Sequence, residues 1–409
     1  MRDVLPAEAR QWRMVEDQVR AHLDQFAYEE VQLPLLEFTD LFARGVGEAT
    51  DIVEKEMYSL ADRDGDSLSL RPEGTASCVR ALQENGLLYN QVQRVYYAGP
   101  MFRYEKPQKG RYRQFYQIGA EAFGMAGPDI DAELIALCAG VWRSLGIDQH
   151  VRLELNTLGD QAARHAYREA LVAYLTPLQE QLDEDSQRRL STNPLRILDS
   201  KSERTQALLQ QAPQLPDFVD EQSQAHFAGL CGLLNDLGIA YHHNVNLVRG
   251  LDYYTHTVFE WITDDLGSQG TICAGGRYDG LVERLGGKPT PAVGFAMGVD
   301  RVLLLHQVVH QRPAPVPAQV YICVLDAATQ GYAFEVAQQV RALGLPTRQH
   351  MGGGNLKKQL KRADAIGAQW AILLGEQEKQ QQSMTVKHLA SGTQVSLLLS
   401  ELNASNFDV

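Results

Sequence analysis

Four cations crowd one short stretch of this sequence. Lys106, Lys109, Arg111 and Arg113 fall within residues 106–114, which hold no acid, in a chain whose formal net charge is −13. Clustered ammonium and guanidinium groups supply the phosphate-binding part of nucleic-acid affinity; the plainer alternative is a solvated hairpin tip. Arg103 differs from these four, because it stands in a strand-like run where a sheet would hold its planar fork rigid for a phosphate or a carboxylate. Arg249 interrupts the apolar run LVRGL at 247–251 without an obvious acid partner nearby. Lys357, Lys358, Lys361 and Arg362 recur at i, i+1, i+4 and i+5, one side of a helix, which suits either a solvated face or an RNA stem. Three glycines and Asn355 precede that helix and would leave its first backbone N–H groups near phosphate.

The elements that must position these residues can be read from periodicity. Residues 7–26 place Trp12, Val15, Val19, Leu23 and Phe26 at helical spacing, and residues 31–36 form an extended run whose Pro34 suits an edge or a strand end. Residues 68–85 read strand, turn, helix. Residues 92–97, 101–105 and 115–123 are strand-like. The last two are joined by the basic loop 106–114, so a hairpin and an antiparallel sheet are expected. A helix over 129–145 has Asp129 as its expected N-cap and Gly146 beyond its end. Residues 176–225 turn rich in Gln, Glu, Asp and Ser and read as a helical insertion. Strands resume at 246–262, 271–274 and 292–297, the last feeding an apolar helix over 299–309.

Residues 312–318 carry prolines at 313, 315 and 317 and mark a linker. Beyond it, strand (320–325), helix (329–343), strand, helix (355–366) and strand (370–374) alternate, as in a small α/β domain with parallel strands. The expectation is an α+β body over 1–311 built on an antiparallel sheet flanked by helices, with the helical insertion inside it, then a linker and an α/β domain over 319–409.

Composition narrows the classes. With 44% apolar and 22% charged residues the 409-residue chain is that of an ordinary globular protein. No apolar stretch reaches the roughly 18 residues of a membrane span, and the first residues lack the apolar core of a secretory signal, so a cytoplasmic protein is expected. Five dispersed cysteines without CxxC spacing support neither a zinc site nor a disulfide framework and read as buried thiols. The acidic balance argues against indiscriminate nucleic-acid binding but leaves room for a local basic patch.

Three segments carry a resemblance. Residues 102–105 (FRYE), the basic loop and Phe115 resemble motif 2 of class II aminoacyl-tRNA synthetases; residues 294–301 (GFAMGVDR) resemble motif 3; residues 7–36 are similar to motif 1, which builds the dimer interface in that class. Residues 71–75 (RPEGT), 247–255 (LVRGLDYYT) and 274–280 (AGGRYDG) narrow the likeness to the histidyl-tRNA synthetase family in its bacterial form, and the C-terminal part resembles that family's anticodon-binding domain. The resemblance runs through essentially the whole chain. It implies a homodimeric ligase that activates L-histidine with ATP and Mg²⁺ to an adenylate and transfers it to tRNA(His), with no membrane partner.

Carried over position by position, the resemblance gives Glu73, Gly74, Thr75 and Gln117 to the α-amino end of histidine, and Glu121 and Tyr254 to the imidazole, with Tyr253 and Tyr278 closing the pocket. Arg103 and Arg249 would meet the α-phosphate, Phe115 would stack on adenine, Arg301 would cover adenine or the γ-phosphate, and Arg111 the ATP phosphates or the tRNA end. Lys106, Gln108, Lys109, Lys357 and Lys361 would touch the tRNA; which carboxylates hold a metal is left unassigned. The chemistry agrees, since a carboxylate attacking a phosphate needs no general base but does need fixed cations against charge repulsion. A buried acceptor such as Glu121 would select an imidazole N–H.

Taken singly, these residues have plainer readings: Glu73 as an acid favoured by a helix dipole, Tyr253 and Tyr254 as half-buried strand aromatics, Gly275 and Gly276 as a tight turn. Three rival functions also share parts of the pattern, of which a stand-alone RNA-binding module is the weakest, because it would not explain the arginines in the sheet. The regulatory subunit of ATP phosphoribosyltransferase resembles the catalytic body but generally lacks the C-terminal module and the arginine at the position of Arg249. Class II synthetases for other amino acids do not call for the LVRGLDYY segment. Against the family pattern, Asp300 stands where Glu is usual and Lys106 where Arg is common. Family members carry a short strand ahead of the Met-Arg-Asp segment with which this sequence starts.

Overall fold

The computed structural model describes residues 1–47, 50–311, 316 and 318–407. The chain divides into two compact units, Met1–Arg312 and Pro313–Val409; of the proline-rich stretch 312–318, residues 312–315 and 317 lie outside the described residues.

In the first unit the chain runs α1 (Pro6–Gln25), β1 (Glu29–Glu30), β2 (Leu36–Phe38), α2 (Thr39–Val46), β3 (Tyr58–Ala61), β4 (Ser67–Leu70), α3 (Thr75–Glu84), β5 (Gln93–Phe102), β6 (Gln114–Phe123) and α4 (Pro128–Ser144). It continues through β7 (Arg152–Thr157), α5 (Gln161–Leu175), α6 (Glu184–Thr192), α7 (Glu203–Leu209), α8 (Glu221–Asp236), β8 (Tyr241–His243), β9 (Thr255–Ile262), β10 (Thr271–Arg277), α9 (Leu281–Arg284), β11 (Ala292–Gly298) and α10 (Val299–His310). Eight strands make one sheet in the order β1-β5-β6-β11-β10-β9-β7-β8. Its six central strands are antiparallel, and β1 and β8 add parallel at the two ends. Both faces are covered. One packs Ile118, Ala120, Ala122, Phe259 and Phe295 with residues of α1, α4, α8 and α10; the other packs Val95, Tyr97, Phe123 and Val258 with residues of α3 and the helical segment.

Several local expectations change. Residues 92–97 and 101–105 are one strand that ends at Phe102, so Arg103 to Glu105 lie beyond it. Pro100 sits inside β5 opposite Tyr116, a position that costs a ladder bond. The neighbouring backbone groups find other partners: Arg71 Nε donates to Pro100 O at 3.0 Å and Tyr116 N to Asp300 at 2.9 Å. Residues 31–34 are not a strand but the link between β1 and β2. The α4 helix starts at Pro128 with Gly127 as N-cap, which places Asp129 in the first turn. Only the second part of 246–262 is a strand, because 247–254 form a loop ahead of β9. Strand-free helical structure extends from Gln161 to Asp236, wider than 176–225, and α8 at its end packs on α4.

The second unit holds β12 (Val320–Val324), α11 (Gln330–Ala342), β13 (Thr347–Gln349), α12 (Leu356–Ala365), β14 (Trp370–Leu374), α13 (Glu376–Gln380), β15 (Ser383–His388) and β16 (Gln394–Leu398). The sheet order is β13-β12-β14-β15-β16. Its first three strands are parallel as expected, while β15 and β16, which the alternation did not announce, pair antiparallel and make the sheet mixed. Asn355 caps α12, accepting from Lys358 N at 2.9 Å.

Candidate active site

Alternation along β6 builds the floor of the site. Phe115, Gln117, Gly119 and Glu121 share one face of the strand, while Ile118, Ala120 and Ala122 point into the core on the other. Glu121, 1% exposed, accepts from Thr75 Oγ1 at 2.8 Å, Tyr97 OH at 3.2 Å and Tyr278 OH at 2.5 Å. Burial pushes its carboxyl up to about 8 against the pull of these donors. Close approach around it requires glycine: a Cβ at Gly294, on β11 and paired with Glu121, would collide with the carboxylate, and a Cβ at Gly74 or Gly119 would collide with the Tyr97 ring.

A cavity of about 460 Å³ opens over this floor. Its lining brings together Glu73, Thr75, Arg103, Arg111, Phe115, Gln117, Glu121, Arg249, Tyr253, Tyr254, Tyr278 and Arg301, every cavity residue named from the sequence except Gly74. Lys106, Gln108 and Lys109 are exposed on the adjoining loop. Lys357 and Lys361 belong to the second unit, exposed on α12.

The arginines are held in different ways. Arg103 donates from Nε to Pro72 O at 2.9 Å and lies over the Phe115 ring at 5.3 Å; burial lowers its pKa from the arginine value. Arg249 pairs through Nη1 with Glu260 on β9, while its buried Nε has no partner. Arg301, in the first turn of α10, donates to Gly110 O, Thr271 O and Gln269 Oε1 at 2.6–2.9 Å. Burial and the nearby Arg103 and Arg111 bring its pKa down to about 10, so it stays charged at neutral pH. The loop it grips is a tight turn in which Gln108 and Arg111 exchange backbone bonds around Lys109 and Gly110, the latter at φ +76°. Arg111 pairs with Glu105, just before the acid-free stretch.

The acidic and aromatic residues resolve the plainer readings. Glu73 accepts from Thr75 N at 2.7 Å and Ala76 N at 2.8 Å, so it does serve the start of α3, and it lines the cavity as well. Tyr253 and Tyr254 are buried loop residues, not strand aromatics. Gly275 and Gly276 lie inside β10, not in a turn. Gln117 keeps a buried, unpartnered Oε1 in the cavity wall. Asp300 accepts from Tyr116 N and pairs with Arg2 at 3.2 Å, and Arg2 lies over Tyr112 of the basic loop at 4.8 Å.

Sequence reading missed Tyr97, Glu260, Arg196 and Lys201, all in the cavity lining. The only available signal was strand parity for Tyr97; the other three reach the cavity through tertiary packing. The five cysteines are free thiols, and no group of three or more His, Cys, Asp or Glu residues among the described residues could hold a metal ion.

Comparison with known proteins gives matches over both units. The family model described as Histidyl-tRNA synthetase matches residues 1–302, and the one described as Anticodon binding domain matches residues 319–404. The crystal structure of apo S. aureus histidyl-tRNA synthetase is 36% identical at a TM-score of 0.80, covering 98% of this chain and 96% of that one. A histidyl-tRNA synthetase from Nostoc shares the fold at 19% identity and a TM-score of 0.74, over 99% of this chain and 97% of that one. So does a Bacillus halodurans protein described as an ATP phosphoribosyltransferase regulatory subunit/histidyl-tRNA synthetase, at 22% identity and a TM-score of 0.65, over 91% and 96%. With one family model spanning most of the first unit and a 36% identical structure spanning nearly everything, the chain belongs to the histidyl-tRNA synthetase family, the histidine–tRNA ligases that activate histidine with ATP and charge its tRNA.

Proposed function

We propose that the 460 Å³ cavity is where histidine meets ATP, and that its residues divide the work between selection and charge neutralisation. The observation that carries this reading is the presence, in one cavity, of a buried carboxylate ringed by hydroxyls and three arginines fixed by neighbouring groups. Glu121 and Tyr254 take the imidazole, with Tyr253 and Tyr278 as walls. Gln117, Glu73 and Thr75 take the α-amino group, at the Gly74 turn. The unpartnered Oε1 of Gln117 supports this, since a buried acceptor without a donor is costly until a ligand supplies one.

Arg103 and Arg249 act as the catalytic cations. The carboxylate of histidine is already anionic, so its attack on the α-phosphate is limited by repulsion and alignment rather than by proton removal. Guanidiniums held before the substrates arrive relieve that repulsion without reorganising, and the free Nε of Arg249 is a donor left for such a group. Phe115 stacks on adenine; Arg301 and Arg111 serve the outer phosphates. Mg²⁺ comes in with ATP as part of that substrate. The acids of the cavity fit this better than a resident ion, because Glu105 and Glu260 are each paired with an arginine and Glu73 with backbone N–H groups.

Lys106, Gln108 and Lys109 meet the acceptor end of tRNA(His), and Lys357 and Lys361 its anticodon arm. Their exposure and the anticodon-binding match of the second unit support these roles. The protein acts as a homodimer in the cytoplasm. For the dimer, support comes from the small sheet β2-β4-β3, which carries Leu36, Phe38 and Leu60 on its exposed face and turns Glu37 and Ser69 inward. For the compartment, support comes from the free cysteines and from the finding that no described helix is long and apolar enough to cross a membrane. ATP–pyrophosphate exchange measured with all twenty amino acids tests the core of the proposal. Exchange with histidine alone is expected, and exchange with none would leave a regulatory, non-catalytic relative as the better reading.

A further inference from the structure

The helical segment after β7 grips the loop that carries Arg249 at three places. Arg164, in the first turn of α5, donates from Nη1 to Asp252 O at 2.7 Å and Tyr254 O at 2.9 Å, with Nη2 3.6 Å from the Asp252 carboxylate. Asn193, at the end of α6, donates to Asp252 Oδ1 at 3.3 Å. Arg196 packs on Gly250, where a Cβ would lie 2.8 Å from its Nη1. From the opposite side Asp252 N donates to Val46 O at 3.1 Å.

The Arg164 bonds are unlike ordinary surface contacts. A cation in the first turn faces the positive end of the helix dipole, and burial lowers the pKa of this guanidinium. Both effects work against placing arginine there, and the two carbonyls offset them. Those carbonyls flank Tyr253, so one guanidinium fixes the backbone on both sides of that residue. The Tyr253 ring packs tilted against Tyr254 at 4.7 Å and edge-on against Tyr278 at 5.5 Å. Tyr278 donates to Glu121, and Tyr254 lies under Arg249 at 5.7 Å. A shift at Arg164 is therefore passed first to Tyr254, Tyr278 and Glu121, the histidine side of the cavity, while Arg249 keeps its own anchor in Glu260.

We infer that Arg164 is a positioning residue for the histidine pocket, acting from the helical segment through the backbone on either side of Tyr253. This rests on the reading of the cavity as the histidine site. Two lost hydrogen bonds of about 1 kcal/mol each correspond to roughly thirtyfold if fully expressed in binding, and the loss falls on the residues that bind histidine rather than on the nucleotide end.

The test is histidine-dependent ATP–pyrophosphate exchange on the full chain, with thermal unfolding alongside, for wild type, Arg164→Ala, Arg164→Lys and the exposed neighbour Arg168→Ala. Arg164→Ala should raise the KM for histidine about tenfold or more, with a much smaller change in the KM for ATP. Arg164→Lys, which can still reach one carbonyl, should recover part of the loss, and Arg168→Ala should match wild type. A histidine KM within twofold of wild type in Arg164→Ala overturns the inference, as does an equal fall of kcat and thermal midpoint at unchanged KM. Should Arg164→Ala fail to fold, Arg164→Met, which keeps much of the length of the side chain and donates to neither carbonyl, decides by the same twofold criterion. Absence of histidine-dependent exchange in the wild type itself would instead remove the proposed function, before any variant is compared.

Discussion

Glu260 holds Arg249. The two lie 11 residues apart in sequence, pair directly across the cavity wall, and Thr271 Oγ1 supplies Glu260 with a second bond at 2.9 Å. An arginine that had no acid partner evident in the sequence is thus oriented by a residue on the next strand, through Nη1, while Nε keeps no partner. Arg249→Ala should lower the rate of adenylate formation by about two to three orders of magnitude, the usual cost of removing one fixed group that stabilises developing charge, with little change in histidine affinity. Single-turnover adenylation with radiolabelled histidine measures it; a near-normal rate would take Arg249 out of the mechanism.

If Glu260 acts only through Arg249, its loss should matter only while Arg249 is present. Glu260→Gln keeps the shape and removes the charge, and should cost about tenfold in exchange rate. Combined with Arg249→Ala it should add almost nothing, a non-additivity that a double-mutant cycle reads directly. Additive losses would mean that Glu260 has a separate role.

The carboxyl of Glu121, pushed up to about 8 by burial, makes a prediction about pH. An unfolded glutamate titrates near about 4.3, so between that value and about 8 the folded, ligand-free chain holds a proton that the unfolded chain has lost. The stability this gives is complete below the unfolded value and disappears as pH rises through about 8. The thermal midpoint of wild type should therefore fall more steeply from pH 6 to pH 8 than that of Glu121→Gln, which has no proton to lose. Parallel slopes would show that Glu121 is ionised throughout. The same variant should raise the KM for histidine by about a hundredfold, since the amide is a weaker acceptor for the imidazole N–H.

Much of this site was readable in advance, for a physical reason. Strand parity puts Phe115, Gln117 and Glu121 on one face whatever the tertiary details, while their roles and the remaining cavity residues came from the resemblance, through the motif-like segments 102–115 and 294–301 and the further segments 71–75, 247–255 and 274–280. What could not be read depends on packing between distant elements. Pro100 obscured a continuous strand because its compensation comes from Arg71 and Asp300, which sequence spacing does not reveal. Residues 247–254 look like a strand because they are apolar, yet they are buried as a loop, with Asn156 Nδ2 donating to Leu247 O at 3.0 Å and Arg164 to two carbonyls further along. Tyr97 is hidden for a related cause: its place depends on two glycines, Gly74 and Gly119, that leave room for its ring. The antiparallel pair β15 and β16 was missed because alternation of strands and helices had already suggested a parallel sheet.

The exposed tip of the basic loop separates the two half-reactions. Lys106 and Lys109 stand clear of the cavity, so Lys106→Ala combined with Lys109→Ala should leave histidine-dependent exchange within about twofold of wild type. The KM for tRNA should rise, and the slope of log affinity against log salt should lessen by about one for each phosphate contact removed. Filter binding at several salt concentrations gives that slope. Equal damage to exchange would place these lysines at ATP instead.

The small sheet β2-β4-β3 is inside out for a monomer. Its buried side holds Glu37 and Ser69, with Thr39 and Ser59 hydroxyls within 2.9 Å of Ser69, while its outer side presents Phe38 at 59%, Leu60 at 46% and Leu36 at 43% exposure. Register puts Phe38 and Leu60 on opposite sides of Leu68, so the three residues form one apolar row across the sheet. Leaving such a row in water forfeits about 25 cal/mol for each Å² that a partner could cover, and a closed pair of identical chains covers it without opening the way to fibres. Wild type should sediment as a dimer at micromolar concentration, and Phe38→Asp with Leu60→Asp should shift it to monomer by placing two charges in the buried row. A wild-type chain that sediments as a monomer down the whole concentration series would show that the row has another purpose. A doubly charged variant that stays dimeric would place the interface on a different face.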